Sequence, residues 1–253
     1  MQNILDVTKL EKSYDDRKVV KGISFEVKTG EVFGILGPNG AGKTTTLEMI
    51  ETLRPIDAGK AVVDGIDVAK DPQSVRYIIG VQTQSTAFMD KVKLTELLEQ
   101  QAAAYGEKVD AMELLKSVNL EDKAGSFIES LSGGQKQRFS IAAALVHKPK
   151  IFFMDEPTTG LDPQARRNLW ELVRTINNKG NGTTIILTTH YMEEAEVLCD
   201  RVAIMDEGTI VAMDTPANLI KKLLKKGFKK ERRVEQANLE DVFIDLTGKE
   251  LHT

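Results

Sequence analysis

The octapeptide GPNGAGKT at residues 37–44 restricts the fold of this chain more than any other stretch. It satisfies G-x-x-x-x-G-K-[ST], a pattern that makes a phosphate loop when a buried strand enters it and a helix leaves it. Both flanks are written in the sequence. EVFGIL (31–36) reads as a buried strand, and KTTTLEMIETL (43–53) as the helix after it. Gly37, Gly40 and Gly42 permit backbone angles that turn several N–H groups inward, toward a phosphate chain that accepts from them. Lys43 reaches the outer phosphates, the Thr44 hydroxyl suits Mg²⁺, and the helix beginning at Lys43 presents its positive end. Pro38, Asn39, Ala41 and Thr45 complete the candidate nucleotide-binding loop. The implied ligand is a nucleoside triphosphate.

The rest of the chain supplies the scaffold such a loop needs. IFFM (151–154), TTIILTT (183–189) and RVAIM (201–205) are short apolar runs of buried-strand type, and helical patterns separate them. PQARRNLWELVRTINNK (163–179) places Leu169, Leu172, Val173 and Ile176 on one face. This alternation predicts an α/β core with a parallel sheet. Residues 85–147 are almost wholly helical in pattern and predict a helical subdomain inserted into that core. The first 30 residues alternate, as in GISFEV, and predict an antiparallel β subdomain.

A triphosphate site needs a carboxylate for its metal and a group that activates water. IFFMDE delivers Asp155 and Glu156 at the carboxyl end of a buried strand, where ligands gather in an open parallel sheet. Asp155 is expected to hold Mg²⁺ through water, and Glu156 to polarise the attacking water. Adjacent acids after an apolar run are common, so their weight comes from the loop at 37–44. His190 ends TTIILTTH, a strand expected beside IFFM, which would bring its imidazole near the γ-phosphate. A histidine at a strand end can equally be a structural residue. His147 and His252 show nothing comparable.

A second glycine pair stands in LSGGQKQR (131–138). It has no lysine and no buried strand before it, yet it opens a helix, GGQKQRFSIAAALVHK. Ser132 is an N-cap candidate, and Gly133 and Gly134 leave backbone N–H groups open. That is an anion site lacking its own cation, suited to completing a phosphate site presented by another molecule.

Taken together, GPNGAGKTT (37–45), LSGGQ (131–135), IFFMDE (151–156), GLDP (160–163) and His190 resemble the ATP-binding-cassette ATPases over nearly the whole chain. The resemblance implies ATP and Mg²⁺ as ligands and a head-to-tail pair of cassettes. Each ATP then lies between the phosphate loop of one and Ser132, Gly133, Gly134 and Gln135 of the other. It also implies that Tyr14 stacks on adenine; by pattern alone Tyr14 is an exposed strand aromatic. Gln84 in IGVQTQ matches the glutamine linking Mg²⁺ to the helical lobe, with Gln82 a competitor disfavoured by spacing from Gly80. Leu161 and Asp162 match the loop that crosses the dimer interface, His190 the residue that senses the γ-phosphate, and the helical lobe the part that grips a membrane partner.

Lys43 and Asp155 stand too close along the chain for the coiled coils of chromosome-maintenance relatives, and only one cassette is present. The ending ANLEDVFIDLTGKEL (237–251) resembles that of drug and antibiotic exporters, though the longer segment usual before it is replaced by a basic run. By pattern it is a short amphipathic helix carrying Leu239, Val242, Phe243 and Leu246. The expected cassette covers residues 1–220, with 221–253 an extension.

Composition narrows the setting. No window approaches the roughly 18 consecutive apolar residues of a membrane span, so transport would need a separate permease subunit. The start, MQNILDVTKLEKSYDD, lacks the apolar run of a secretory signal. Cys199 is the only cysteine, which fits a reducing compartment and a small buried hydrophobe. These features place the expected protein on the cytoplasmic face of a membrane. Net charge is −4, yet KKLLKKGFKKERR (221–233) holds eight basic residues and one acidic. Such a run could meet anionic lipid or nucleic acid. Leu223, Leu224 and Phe228 instead suggest a helix end docked on the body with a solvated basic face. The acidic overall balance speaks against a nucleic-acid partner, so a cassette ATPase acting on ribosomes or nucleic acid is the alternative. A small-molecule kinase would leave LSGGQ without a task.

Overall fold

The computed structural model describes residues 2–82, 88–177 and 182–228. Two sheets organise it. The first is antiparallel, in the order β2 (Arg17–Lys28), β1 (Asn3–Tyr14), β4 (Ala58–Val63), β5 (Ile66–Asp67). The second has six strands in the order β10 (Thr209–Asp214), β9 (Arg201–Asp206), β3 (Val32–Leu36), β8 (Thr184–Thr189), β7 (Ile151–Asp155), β6 (Ile79–Gln82). Every pairing in it is parallel except β10 with β9.

The central strands β3, β7 and β8 are buried along their whole length, which is why they read as continuous apolar runs rather than alternating ones. Successive side chains still serve different cores. Phe152, Met154, Ile185 and Leu187 join one with the helical lobe, and Phe153, Ile186, Phe33 and Ile35 join the other, under the antiparallel sheet. Each face of the sheet is thereby covered by a separate layer.

Helix α1 (Lys43–Ile50) leaves the phosphate loop, and α2 (Pro72–Ile78) precedes β6. The inserted lobe holds α3 (Leu94–Ala104), α4 (Ala111–Ser117) and α5 (Gly133–Ala144). Helix α6 (Pro163–Ile176) follows β7, with Leu169, Leu172 and Val173 buried as its periodicity requires. Helices α7 (Met192–Leu198) and α8 (Pro216–Lys225) close the described chain.

One sequence expectation is corrected. The basic helix end is not docked on the body: Leu223, Leu224 and Phe228 are 46%, 59% and 50% exposed, and α8 buries none of its residues. The amphipathic face is present, but it forms one wall of an open apolar groove instead of packing into the body. Helix α8 also runs through residue 220 without a break. The expected helix at 237–251, His252 and Gln84 lie outside the described residues.

Candidate active site

The phosphate loop is held by close backbone packing. Gly37 N–H donates to the carbonyl of Thr189 at the end of β8, and a Cβ on Gly37 would stand 2.1 Å from the Met205 carbonyl oxygen. Gly42 caps α1 with φ 100°, a left-handed conformation that L side chains rarely adopt, and no side chain caps that helix start. Its first N–H groups therefore face the loop. A cavity of about 280 Å³ lies there, lined by Val19, Asn39, Gly40, Gly42, Lys43, Thr44, Thr45 and Glu156. A second, of about 270 Å³, shares Val19, Asn39 and Gly40 and adds Arg17, Lys18 and Lys21 together with Asp206 and Glu207, so side chains of both signs border the approach.

Lys43 is 4% exposed. Its Nζ donates to the carbonyls of Gly37 (2.9 Å) and Pro38 (3.1 Å) and lies 3.2 Å from Glu156 Oε1. Thr44 Oγ1 stands 3.1 and 3.0 Å from the two carboxylate oxygens of Asp155. The loop, Asp155 and Glu156 thus meet although they are far apart in sequence, because β3 and β7 flank β8 in one parallel sheet.

Glu156 leaves β7 with φ 47°, a strained conformation for a residue with a side chain. Its N–H donates to the Thr188 carbonyl (3.2 Å) and hydroxyl (3.0 Å). Thr159 donates its hydroxyl to Glu156 Oε2 at 3.2 Å. His190 Nδ1 stands 3.2 Å from the same oxygen, without the alignment of a hydrogen bond. His190 and Glu156 therefore stand together at the ends of the adjacent strands β8 and β7, and Glu156 in turn contacts Lys43 of the loop.

Sequence reading missed Thr188. It is fully buried, and its hydroxyl donates to Asp155 Oδ1 (2.5 Å) while accepting from Glu156 N–H. One hydroxyl thus fixes both acids. The signal is cross-strand register, Asp155 opposite Thr188, which a local pattern does not carry. Gln137 was missed too; its amide donates to the Pro157 carbonyl at 2.8 Å and ties the lobe to the turn after Glu156.

The remaining expected residues lie elsewhere. Ser132 and Gln135 form a reciprocal capping box at the start of α5, at 2.9 and 3.3 Å. A Cβ on Gly133 would meet nothing within 4 Å, and one on Gly134 would stand 3.2 Å from Ala165 Cβ on α6. None of Ser132, Gly133, Gly134 and Gln135 lines the loop cavities. Asp162 caps α6, accepting from Ala165 N–H at 2.8 Å, and Leu161 packs against the core beside it. Tyr14 is 37% exposed, outside both cavity linings; the Arg54 guanidinium and Lys12 ammonium stand 5.5 and 5.7 Å from its ring centre. Gln82 is buried in β6. His147 stacks on Tyr105 (3.9 Å) and bonds the Ile79 carbonyl, a structural setting in which burial lowers its pKa.

Comparison with known proteins agrees with this geometry. Residues 20–159 match the sequence profile of a family described as "ABC transporter". Linearmycin resistance ATP-binding protein LnrL of Bacillus subtilis is 43% identical over 225 residues, covering 87% of this chain and 72% of that protein. Nod factor export ATP-binding protein I of Rhizobium etli is 42% identical, covering 87% and 71%. Among solved structures, an ATP-binding subunit of an ABC transporter superposes with a TM-score of 0.78 at 29% identity, over 96% of this chain and 99% of that one. A dimeric post-hydrolysis cassette bound to ADP and Pi superposes with 0.75 at 27% identity, over 83% and 98%. Relatives named for export and resistance favour transport over a ribosomal or nucleic-acid role. This chain belongs to the ABC transporter family, as an ATPase cassette whose hydrolysis is coupled to transport.

Proposed function

We propose that this cassette powers export through a separate membrane permease, and that two cassettes close head to tail around ATP. The observation that carries the pairing is the position of Ser132–Gln135. They cap a helix start outside the cavity that their own chain builds around Lys43. The capping box uses the Ser132 and Gln135 N–H groups, so the N–H groups of Gly133 and Gly134 are left to complete the triphosphate site of a partner cassette. A solved relative that is dimeric with ADP and Pi bound supports the pairing by analogy. Among the described residues no helix is long and apolar enough to cross a membrane, so the permease is a different chain and this one sits peripherally on it. The relatives' names supply the export direction.

Thr44 and Asp155 fit Mg²⁺. Both offer hard oxygen donors, their oxygens already lie 3.0–3.1 Å apart, and Mg²⁺ takes few protein ligands beside phosphates and water. When bound, the ion would draw charge from the β- and γ-phosphates. Lys43, carried on α1, neutralises the outer phosphates in the same cavity. Glu156 accepts a proton from the attacking water, and His190 holds the γ-phosphate side of Glu156.

Complementation tests the pairing. A Lys43→Ala chain and a Ser132→Arg chain should each be inactive alone. Mixed in equal amounts, they should regain roughly a quarter of wild-type ATPase, because half the dimers are mixed and each has one intact composite site. No recovery would mean that both loops serve the same ATP within one chain.

The buried hydroxyl gives a second prediction. Thr188→Val should lower kcat about tenfold with KM for ATP within about twofold, the cost of one hydrogen bond to a charged group. Thr188→Ser should restore it. A variant with unchanged kcat would show that Asp155 and Glu156 hold their positions without Thr188.

A further inference from the structure

The exposed apolar face of α8 is one wall of a groove of about 470 Å³. Met192, Val202, Ile204, Leu219, Ile220 and Leu223 line it, and Lys222 and Lys226 stand on its rim. Met192 is 63% exposed, Ile220 47% and Leu223 46%. A contiguous apolar surface rimmed by charge marks a docking site.

We propose that the occupant is the chain's own segment Leu239–Leu246, seated as an amphipathic helix between α7 and α8. Three observations choose it. At 100° per residue Leu239, Val242, Phe243 and Leu246 share one face, a four-residue apolar stripe to fill an apolar groove. Glu240 and Asp245 flank that stripe and meet a lining whose charged groups are Lys222, Lys226 and Glu196, net positive even with Lys222 also paired to Asp214 at 2.7 Å. The intervening run 229–233, by contrast, is itself basic and would be repelled. The distance is also short. Ten residues separate Phe228 from Leu239, and the eleven Cα steps between them reach up to about 36 Å when extended, against about 15 Å for the ten residues of α8. A return along α8 into the groove is therefore within reach of the same chain, at an effective concentration no second molecule matches. The seat includes Met192, two residues beyond His190, so the segment clasps the helix that begins just after the His190–Glu156 contact.

Hydrogen exchange on the full chain tests this. Amides of 239–246 and of α7 should be protected, and dilution should not change the protection. Leu223→Asp alters a half-exposed side chain and should leave the fold intact. It should speed exchange of 239–246 by about tenfold or more, as should Phe243→Asp, and both should loosen α7. The substitutions Ile220→Cys and Phe243→Cys placed together should form a disulfide within one chain; Cys199 is buried, with its thiol pKa pushed up, and does not compete. Three results would each overturn the proposal: no protection in the wild-type chain, protection lost on dilution, or cross-links only between two chains. The last two would assign the groove to a second copy.

Discussion

Glu156→Gln should bind Mg-ATP, hydrolyse it about 10²–10⁴-fold more slowly than the wild type, the range for losing a general base, and accumulate as a dimer. The expectation follows from what surrounds the side chain. Glu156 is held in a left-handed turn by two bonds from its own N–H to Thr188, neither of which involves the carboxylate. Glutamine has the same shape, so the turn, the Lys43 contact and the cavity survive while proton acceptance is lost. ATP binding joins both chains through the two composite sites, so ligand and association are linked, and a site that cannot hydrolyse keeps the linkage in force. Size-exclusion chromatography with and without Mg-ATP, beside a phosphate-release assay, reads both effects. A variant that stays monomeric with Mg-ATP would falsify ATP-driven pairing; a dimer that hydrolyses at the wild-type rate would remove Glu156 from the chemistry.

The parts of this site differ in how legible they were. The phosphate loop is local: eight consecutive residues carry it, and the strand and helix beside it confirm it. Asp155 and Glu156 were found because β7 is buried on both faces and so announces itself as an apolar run that ends abruptly in acid. Strands β6 and β10 were not found. IGVQ has four residues and passes at once into polar sequence, while TIVAMD is a half-exposed antiparallel edge whose hydrophobicity is diluted by solvent-facing positions. The strained turn at Glu156 and the bridging role of Thr188 depend on which strand lies beside which, and in what register. Single-strand patterns do not encode that. The reading of Leu223, Leu224 and Phe228 erred in the other direction: an apolar face was taken as a docked one, although amphipathicity identifies the face and says nothing of the partner.

A further acid, Glu51, is expected to give the largest stability effect. It caps the end of α1 at 4% exposure, one helix length from the phosphate loop. Burial raises its pKa to about 8, helped by repulsion from Asp155 and Glu48. The folded protein therefore keeps a proton that the unfolded chain loses near pH 4.5. Between these values unfolding releases a proton, so the stabilisation is complete below pH 4.5 and is lost as pH rises to about 8. Across pH 5 to 8.5 the loss is on the order of 4 kcal/mol. Glu51→Gln is neutral throughout and should escape it. In buffers free of nucleotide and magnesium, denaturant midpoints of the wild type should fall steeply toward pH 8.5 while those of the variant fall much less, leaving the variant the more stable protein at alkaline pH. Parallel curves would mean that Glu51 is already ionised in the folded state and that a neutral acid beside Asp155 is the wrong description. The expected outcome instead makes this position a place where stability is set by a proton held beneath the ATP site, and where glutamine strengthens the fold without touching the phosphate loop.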